Sequence, residues 1–252
     1  MNQTCLFISW VAHSTRSDSI AYHLGAKSYH IQYFKPKRFK YLYAPLKYVL
    51  AGLNTFSILR KEKPDFVFVQ NPPVFCAFTV WIWTLFSRVK FIIDSHTGAF
   101  DQPRWKAFHW LFRFLAKRAA INIVHNDPLT KIVSGWEASA ITIGDVPFRL
   151  ETDLIYPFRN RFNVVYVCTF SPDEPVDEVI AAAKGLPEID FYITGNLKLA
   201  PADIHQRIPS NVKLTGFIPY SEYAALIKGC DVIMSLTTRD NTMQNGAYEA
   251  ME

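Results

Sequence analysis

DVIMSLTTRDNTMQNGAYEAME, residues 231–252, joins an apolar run, a polar loop and a segment rich in small residues. The run Asp231–Leu236 predicts a buried strand, and residues 237–241 predict the loop that follows it. Asn245 and Gly246 predict the start of a helix that carries Glu249 near its first turn. A strand that leads through a polar loop into a helix N-terminus favours anion binding, because free backbone N–H groups and the helix dipole attract negative charge. We therefore predict that this segment binds phosphate groups and that Glu249 accepts hydrogen bonds from sugar hydroxyls.

Upstream of this segment, apolar runs of strand length alternate with longer helix-like segments. The first half predicts strands at Cys5–Val11, Tyr29–Tyr33, Asp65–Gln70, Lys90–Asp94, Ile121–His125 and Ala140–Ile143. Between them it predicts helices near Ser19–Ala26, Leu46–Arg60, Val74–Ser87, Trp105–Arg118 and Pro128–Ser134. Such alternation is typical of an α/β fold with a mostly parallel sheet covered by helices on both faces.

The alternation stops between Asp145 and Phe162, where Pro147 and Pro157 interrupt a charged stretch without periodicity. It resumes from residue 163 with four predicted strands and two predicted helices. We interpret the interruption as a linker. The predicted organisation is an N-terminal Rossmann-like domain over residues 1–147, a linker over 148–162 and a C-terminal Rossmann-like domain over 163–252.

Composition indicates a packed globular protein, since half of the 252 residues are apolar and 19% are charged. Cys5, Cys76, Cys168 and Cys230 are isolated in the sequence, which is typical of reduced thiols in a cytoplasmic protein. The N-terminus predicts a buried strand instead of a secretory signal. No spacing of histidines and cysteines predicts a metal site, so we expect no metal.

Basic and aromatic residues interleave between positions 33 and 48, with Lys35, Lys37, Arg38 and Lys40 at the centre. This pattern is compatible with contact to an anionic membrane surface, which would place the protein at the inner face of the membrane. It is also compatible with nucleic-acid binding, which we do not favour, or with a solvated helix face.

The segment 235–252 resembles the donor-binding segment of GT-B-fold glycosyltransferases, especially the retaining group called family four. The family's signature is Glu, seven residues and Glu, usually followed by Ala-Met or Ala-Leu. Glu249 with Ala250 and Met251 matches the second half, and Asn241 stands where the first Glu is expected. The resemblance implies two Rossmann-like domains facing across a cleft, with Glu249 holding the donor ribose and Asn241 at the reacting centre. Because the family's second domain continues beyond this signature, we expect this chain's second domain to be incomplete.

Two further motifs support the resemblance and concern the acceptor side. Asn71-Pro72-Pro73 is similar to turns of GT-B enzymes that glycosylate lipid-linked acceptors. Asp94-Ser95-His96 is similar to the family's Asp-x-His segment, which implies that His96 lies near the reacting sugar and acceptor. An imidazole there can donate to a phosphate or move a proton. We expect Asp94 to stabilise the turn.

The remaining predicted contacts concern the donor. Many family members place an Arg and a Lys after the first strand of the second domain, but this chain has Asp173 and Glu174, which we expect to cap the following helix. The residues predicted to bind the donor are Arg16, Gly195, Phe217, Ile218, Arg239, Gln244, Asn245, Gly246 and Glu249. Among these, Phe217 and Ile218 are expected at the nucleotide base. An amide at Asn241 cannot serve as nucleophile or base.

These observations predict a metal-independent glycosyltransferase that moves a sugar from a nucleotide diphosphate donor, UDP- or GDP-linked, to a lipid-linked or surface-glycan acceptor in polysaccharide biosynthesis. The chain lacks a G-x-G-x-x-G after a strand, a Walker loop and a G-x-S-x-G elbow, which argues against dehydrogenases, P-loop NTPases and α/β-hydrolases. Two alternatives stay open. One is a non-catalytic sugar-nucleotide-binding protein, and the other is a sugar-nucleotide epimerase.

Overall fold

The computed structural model describes residues 4–12, 14–33, 44–144, 150–159, 161–240, 242 and 244–251. The chain forms two compact units, Met1–Val146 and Pro147–Glu252. The predictions for Asn241 and for the basic residues Lys35, Lys37, Arg38 and Lys40 lie outside the described residues.

The first unit contains a six-stranded sheet whose strands pair in parallel in the order β2-β1-β3-β4-β5-β6. Its strands are β1 (Cys5–Ser9), β2 (Lys27–His30), β3 (Phe66–Asn71), β4 (Lys90–Ser95), β5 (Ile121–Val124) and β6 (Ala140–Thr142). Its helices are α1 (Thr15–His23), α2 (Ala44–Glu62), α3 (Val74–Thr84), α4 (Gly98–Asp101), α5 (Pro103–Lys106), α6 (His109–Ala116) and α7 (Asp127–Ser134).

Helices cover both faces of this sheet, because the strands bury side chains on both sides. Within β1, Leu6 and Ile8 belong to the large core with α2 and α3, whereas Phe7 belongs to a smaller core with Ile20 and Ala21 of α1. These three strand residues have no exposed surface. The predicted parallel α/β fold of this half is therefore confirmed.

The second unit contains a four-stranded parallel sheet in the order β10-β7-β8-β9. Its strands are β7 (Phe162–Tyr166), β8 (Ile189–Thr194), β9 (Val212–Gly216) and β10 (Val232–Met234). Its helices are α8 (Val176–Gly185), α9 (Ile204–Arg207), α10 (Tyr220–Gly229) and α11 (Asn245–Glu249). Val164 packs with α8 on one face of this sheet, and Val165 packs with α10 on the other.

The predicted linker contributes to the second unit's core. Leu150 and Tyr156 are buried against β8 and α10, and the Tyr156 ring meets the Tyr192 ring edge-on at 5.7 Å. Within the predicted linker of residues 148–162, Leu150 and Tyr156 therefore belong to the core of the second unit.

Most predicted elements lie within a few residues of the observed ones, with one clear exception. The single helix predicted at Trp105–Arg118 is two helices, α5 and α6, separated at Ala107 and Phe108. Phe108 has φ −106° and ψ 11°, which is outside the helical range, and its ring packs on Phe75 at 4.9 Å. Packing of this ring accompanies a break that apolar periodicity does not reveal. Within the described ranges, no helix has the length and apolar character needed to cross a bilayer.

Each sheet has one point where the strand order changes direction. It lies between β1 and β3 in the first unit and between β7 and β10 in the second. Ligands of open parallel α/β sheets bind beside the carboxyl ends of the strands at such points. The loops that follow β1, β3, β7 and β10 are therefore the places to look for a functional site.

Candidate functional site

In the first unit, a buried ion pair supports His96 at the carboxyl edge of the sheet. Asp94, in β4, has no exposed surface, and Arg16 of α1 donates to it from Nε and Nη2 at 2.9–3.1 Å. His96 follows β4, and its Nε2 lies 3.6 Å from Asp94 Oδ2. The backbone N–H of His96 donates to the carbonyl of Asn71 at the end of β3. His96 is thus held by its main chain and faces a fixed carboxylate.

Asp94 carries its charge at any physiological pH. Burial alone would raise its pKa, but interactions with His96 and then with Arg16 outweigh burial and bring the pKa to about 2. The 3.6 Å between His96 Nε2 and Asp94 Oδ2 exceeds hydrogen-bond distance, so the ionised carboxylate acts on the imidazole through its charge. Besides its predicted role in stabilising the turn, Asp94 therefore helps to orient His96.

His125 is a neighbour of His96 that the sequence analysis did not single out. Ser95 pairs with Val124 across β4 and β5, so the residues that follow these strands lie side by side. Their imidazole rings are 5.1 Å apart and nearly perpendicular, at 69°. The missed signal was positional, because His125 is the last residue of the predicted strand Ile121–His125, much as His96 lies just beyond the predicted strand Lys90–Asp94.

Arg16 does not fit the predicted contact with donor phosphate. Its side chain is 4% exposed. Besides Asp94, its guanidinium donates to the carbonyls of Gly144 and Ile143 at 2.8 and 2.9 Å. These contacts connect α1 to β4 and to the end of β6. The described geometry therefore assigns Arg16 to the framework that supports His96.

In the second unit, Glu174 lies in the loop between β7 and α8 and binds that loop's own amides. The backbone N–H groups of Thr169 and Ser171 donate to Glu174 Oε2 at 2.9 and 2.8 Å, and the Thr169 hydroxyl donates as well. The N-cap of α8 is Pro175, which makes no side-chain cap. The prediction that Glu174 caps the helix is therefore wrong, since its carboxylate instead fills a set of donors that would suit an external anion.

Asp173 connects the two loops at the point where the strand order changes. It accepts from the hydroxyls of Thr237 and Ser171, and its carbonyl accepts from the backbone N–H of Thr238 at 2.8 Å. Arg239 Nη2 lies 3.0 Å from Asp173 Oδ1, with the arginine side chain 40% exposed. Burial raises the pKa of Asp173, but the two hydroxyls and the Arg239 charge outweigh it and keep the pKa below its ordinary value. Asp173 also does not cap α8, and it already neutralises the cation predicted to bind phosphate.

The predicted helix start is short and closely packed. The helix α11 contains five residues, and the side chain of Asn245 lies outside the described atoms. Gln244 precedes the helix and accepts from the Ser235 hydroxyl at 2.9 Å. A Cβ added at Gly246 would lie 2.8 Å from Val167 Cβ, so only glycine allows α11 to approach the loop after β7 this closely. The glycine at position 246 is therefore explained by packing of α11 inside the second unit.

The residues predicted at the nucleotide base separate into two groups. Phe217 is 90% exposed after β9, whereas Ile218 packs against the core that contains α10. Gly195 follows β8 with φ +118°, and an added Cβ would lie 2.4 Å from the carbonyl oxygen of Cys168. Gly195, which was predicted to bind the donor, therefore makes its close backbone contact with the chain itself. Of these three residues, Phe217 is the one that presents its side chain to solvent.

Glu249 is nearly buried inside the second unit, with 9% of its surface exposed. Its Oε2 accepts a hydrogen bond from the Tyr223 hydroxyl of α10. Burial raises the pKa of Glu249, which the tyrosine hydrogen bond partly opposes. The carboxylate lines a cavity of about 440 Å³ together with Leu150, Ile227 and Ile233. A ribose would have to reach Glu249 through this cavity and share its hydrogen bond with Tyr223.

Glu249→Gln should stabilise the protein at neutral pH. Because the folded pKa lies above the ordinary 4.5, stability falls as pH rises from that value through the folded pKa. Glutamine keeps an oxygen acceptor for Tyr223 and carries no charge, so this decline should disappear from the variant. Thermal unfolding at about pH 5 and about pH 8 measures the difference. The exposed Glu188→Gln is the matched control, and an equal pH dependence in wild type and Glu249→Gln would contradict the prediction.

Comparisons with solved structures place this geometry in a known fold. HepE from Anabaena, solved with UDP-glucose, superposes with a TM-score of 0.69 at 13% identity over 99% of this chain and 78% of HepE. Sucrose-phosphate synthase from Thermosynechococcus elongatus gives 0.64 at 11% identity, over 92% and 75% of the two chains. The lipopolysaccharide outer core galactosyltransferase WaaB gives 0.55 at 14% identity, over 91% and 73%. No family model and no curated protein sequence matches the chain.

These likenesses confirm the predicted fold. The chain has the mixed α/β, parallel-sheet fold of GT-B glycosyltransferases, and it spans about three quarters of the length of these neighbours. At 11–14% identity the likeness concerns the fold, so family four and the individual site residues stay predictions.

Proposed function

We propose that the protein is a glycosyltransferase that transfers a sugar from a nucleotide diphosphate donor. The observation that carries this proposal is the position of His96. It lies beside the buried, ionised Asp94 at the carboxyl edge of the first sheet, in a chain with the GT-B fold. Structural neighbours that were solved with UDP-glucose and with thymidine diphosphate support a donor of this class.

The second unit would bind the donor at the loops after β7 and β10. Arg239 is the half-exposed cation there, and the hydroxyls of Thr237 and Thr238 lie beside it. A phosphate that replaced Asp173 as the partner of Arg239 would gain a charge-assisted hydrogen bond. Phe217 offers an exposed ring to the base, and Glu249 remains our proposal for the ribose. Metal-independent transfer also remains a prediction.

The first unit would contribute to the chemistry through His96. In transfer, an acceptor oxygen bonds to the anomeric carbon while the bond from that carbon to the diphosphate oxygen breaks. The acceptor's proton must leave, and an imidazole whose Nε2 faces Asp94 can take it on its other nitrogen. Positioning and charge neutralisation of the leaving diphosphate would supply the rest of the catalysis.

The acceptor we propose is lipid-linked or part of a surface glycan, as the Asn71-Pro72-Pro73 turn suggests. Both of its proline peptide bonds are cis, and the turn joins β3 to α3 next to His96. The same proposal includes contact with the inner face of a membrane through Lys35, Lys37, Arg38 and Lys40. It would bring the protein to such an acceptor.

A second candidate function is sugar-nucleotide binding without transfer. It is favoured by the internal carboxylates, since Glu174 fills the amides of its loop and Asp173 neutralises Arg239. The cavity of about 470 Å³ beside this loop is also lined by Asp177 and Glu178. A negatively charged surrounding weakens diphosphate binding. Donor binding without sugar transfer to any acceptor or to water would select this candidate.

Donor binding tests the proposed site through two variants with opposite effects. Arg239→Ala should weaken UDP binding about tenfold or more, because a charge-assisted hydrogen bond to phosphate is lost. Asp173→Asn should tighten UDP binding about fivefold, because it frees Arg239 and removes a repelling charge. Isothermal titration of UDP measures both effects.

Glu188→Gln is the matched control, since Glu188 is an exposed carboxylate that directly precedes β8, at the amino edge of the sheet. It should leave UDP binding unchanged. Equal UDP affinity in wild type, Arg239→Ala and Asp173→Asn would exclude these loops as the donor site.

A further inference from the structure

The outward face of α2 carries an exposed apolar stripe. Leu46, Val49, Leu50 and Leu53 are 53, 58, 39 and 61% exposed. Their spacing of three, one and three residues places them on one side of two consecutive helical turns. We call these four residues the α2 apolar face. Contiguous exposed apolar surface of this kind marks an interaction site, whereas isolated exposed leucines do not.

The opposite side of α2 accounts for the helix's own packing. Ala51 and Leu59 are 1 and 0% exposed in the core, and Thr55, also buried, accepts from the Trp10 indole N–H at 3.0 Å. Burial of these residues is sufficient to hold the helix on the sheet. The α2 apolar face is therefore not needed for the fold of the first unit as described.

The net positive charge of the chain segment that contains α2 favours an anionic partner. Residues 19–61 contain eight Lys and Arg residues and neither Asp nor Glu. The whole chain has 27 basic and 22 acidic residues, so the remainder has 19 basic against 22 acidic. The positive charge of the protein is thus concentrated in the part of the chain that contains α2. An apolar helix face in a basic part of the chain matches the headgroup region of an anionic bilayer, which offers acyl chains and negative charge together.

We propose that the α2 apolar face inserts into the surface of an anionic lipid bilayer. Long basic side chains of the same region would meet the headgroups while the leucines enter the acyl boundary. Nucleic acid would satisfy the positive charge but not the leucines. A second copy of the chain would cover the leucines but would repel through the same basic residues.

The position of the α2 apolar face relates it to His96. The Tyr48 ring, in the first turns of α2, lies 6.1 Å from Trp10, which follows β1, and 4.8 Å from Phe75 in the first turn of α3. The N-terminal part of α2 is therefore at the carboxyl edge of the sheet, as His96 is. A bilayer bound there would present a lipid-linked acceptor to the edge that carries His96. This last step rests on the proposed function, whereas membrane binding itself does not.

Sedimentation with lipid vesicles tests the proposal. The probes are vesicles of phosphatidylcholine alone and of phosphatidylcholine with about a third phosphatidylglycerol. The wild-type chain should bind the anionic vesicles and bind the neutral ones at least tenfold more weakly. Leu50→Ser with Leu53→Ser should weaken anionic-vesicle binding roughly 30-fold, because two half-exposed leucines can no longer enter the bilayer.

The matched control is Leu154→Ser with Ile155→Ser, which removes two exposed apolar residues from the second unit, 56 and 93% exposed. It should bind vesicles like the wild type. Circular dichroism and the UDP affinity of each variant establish that the chain is folded and report donor binding separately. If the α2 double variant unfolds, Leu46→Ser alone replaces it.

Four outcomes would overturn the proposal. The first is the absence of wild-type binding to anionic vesicles, and the second is equal binding by the wild type and the folded α2 variant. The third is a wild-type dimer in analytical ultracentrifugation that the α2 variant converts to monomer. The fourth is binding to a double-stranded oligonucleotide that displaces the vesicles. Loss of vesicle binding with UDP binding intact would leave the proposed function standing.

Discussion

Asp94→Asn should lower the free energy of unfolding by about 3–5 kcal/mol, the range expected when one partner of a buried ion pair is removed. Asp94 has no exposed surface, and the Arg16 side chain is 4% exposed. The substitution leaves the buried guanidinium facing a neutral amide in place of a carboxylate, with the carbonyls of Ile143 and Gly144 among its acceptors. Urea unfolding followed by circular dichroism at about pH 7 measures the loss.

The matched control for this experiment is Glu137→Gln. Glu137 pairs with Lys117, but its side chain is 83% exposed and the pair is screened by solvent, so its removal should leave the free energy of unfolding essentially unchanged. A loss below about 1 kcal/mol in Asp94→Asn would show that the ion pair is not the support we describe.

The acid dependence gives the Asp94 prediction a second readout. The folded pKa of Asp94 is about 2, below the ordinary 3.8, so its contribution to stability is present above 3.8 and is lost as pH falls towards 2. Wild type should therefore lose this contribution within that window, and Asp94→Asn should lack the corresponding part of the acid transition. Parallel acid transitions in the two proteins would contradict the prediction.

His96→Ala should slow sugar transfer about 100- to 10,000-fold, the range for removal of a group that moves a proton in the transition state. The imidazole is oriented by Asp94 on one side and contacts the His125 ring on the other. Release of UDP from UDP-glucose, with water or a lipid-linked glycan as acceptor, measures the rate. Because His96 belongs to the first unit, UDP affinity should change little, so the loss should appear in kcat.

The control for His96 is His205→Ala, which removes an exposed imidazole of α9. It should retain the wild-type rate. A His96→Ala protein that folds, binds UDP and transfers sugar at a rate within about threefold of the wild type would remove His96 from the mechanism.

Sequence patterns predicted the secondary structure because each strand and helix buries its own apolar residues. In the first unit, the strand predicted at Ile121–His125 is observed as β5 at Ile121–Val124, with three of its four residues buried. The break between α5 and α6 escaped prediction because it depends on Phe108 packing against Phe75, a residue in another element. The candidate site is limited in the same way, because side-chain partners lie in other elements of the fold. The residue types at the site were predictable, but their partners were not.

The sequence by itself determined the parallel α/β fold, the order of its elements and the position of His96 after a strand, because these follow from local apolar periodicity. Only the tertiary structure decided which polar side chains are already bound. Arg16 meets Asp94 across 78 residues of chain, and Tyr223 meets Glu249 across 26. Folding brings these groups together, and burial makes each pairing obligatory because an unpaired charge in the interior is costly. That is why the buried Arg16 pairs with Asp94 and supports His96 from within the first unit.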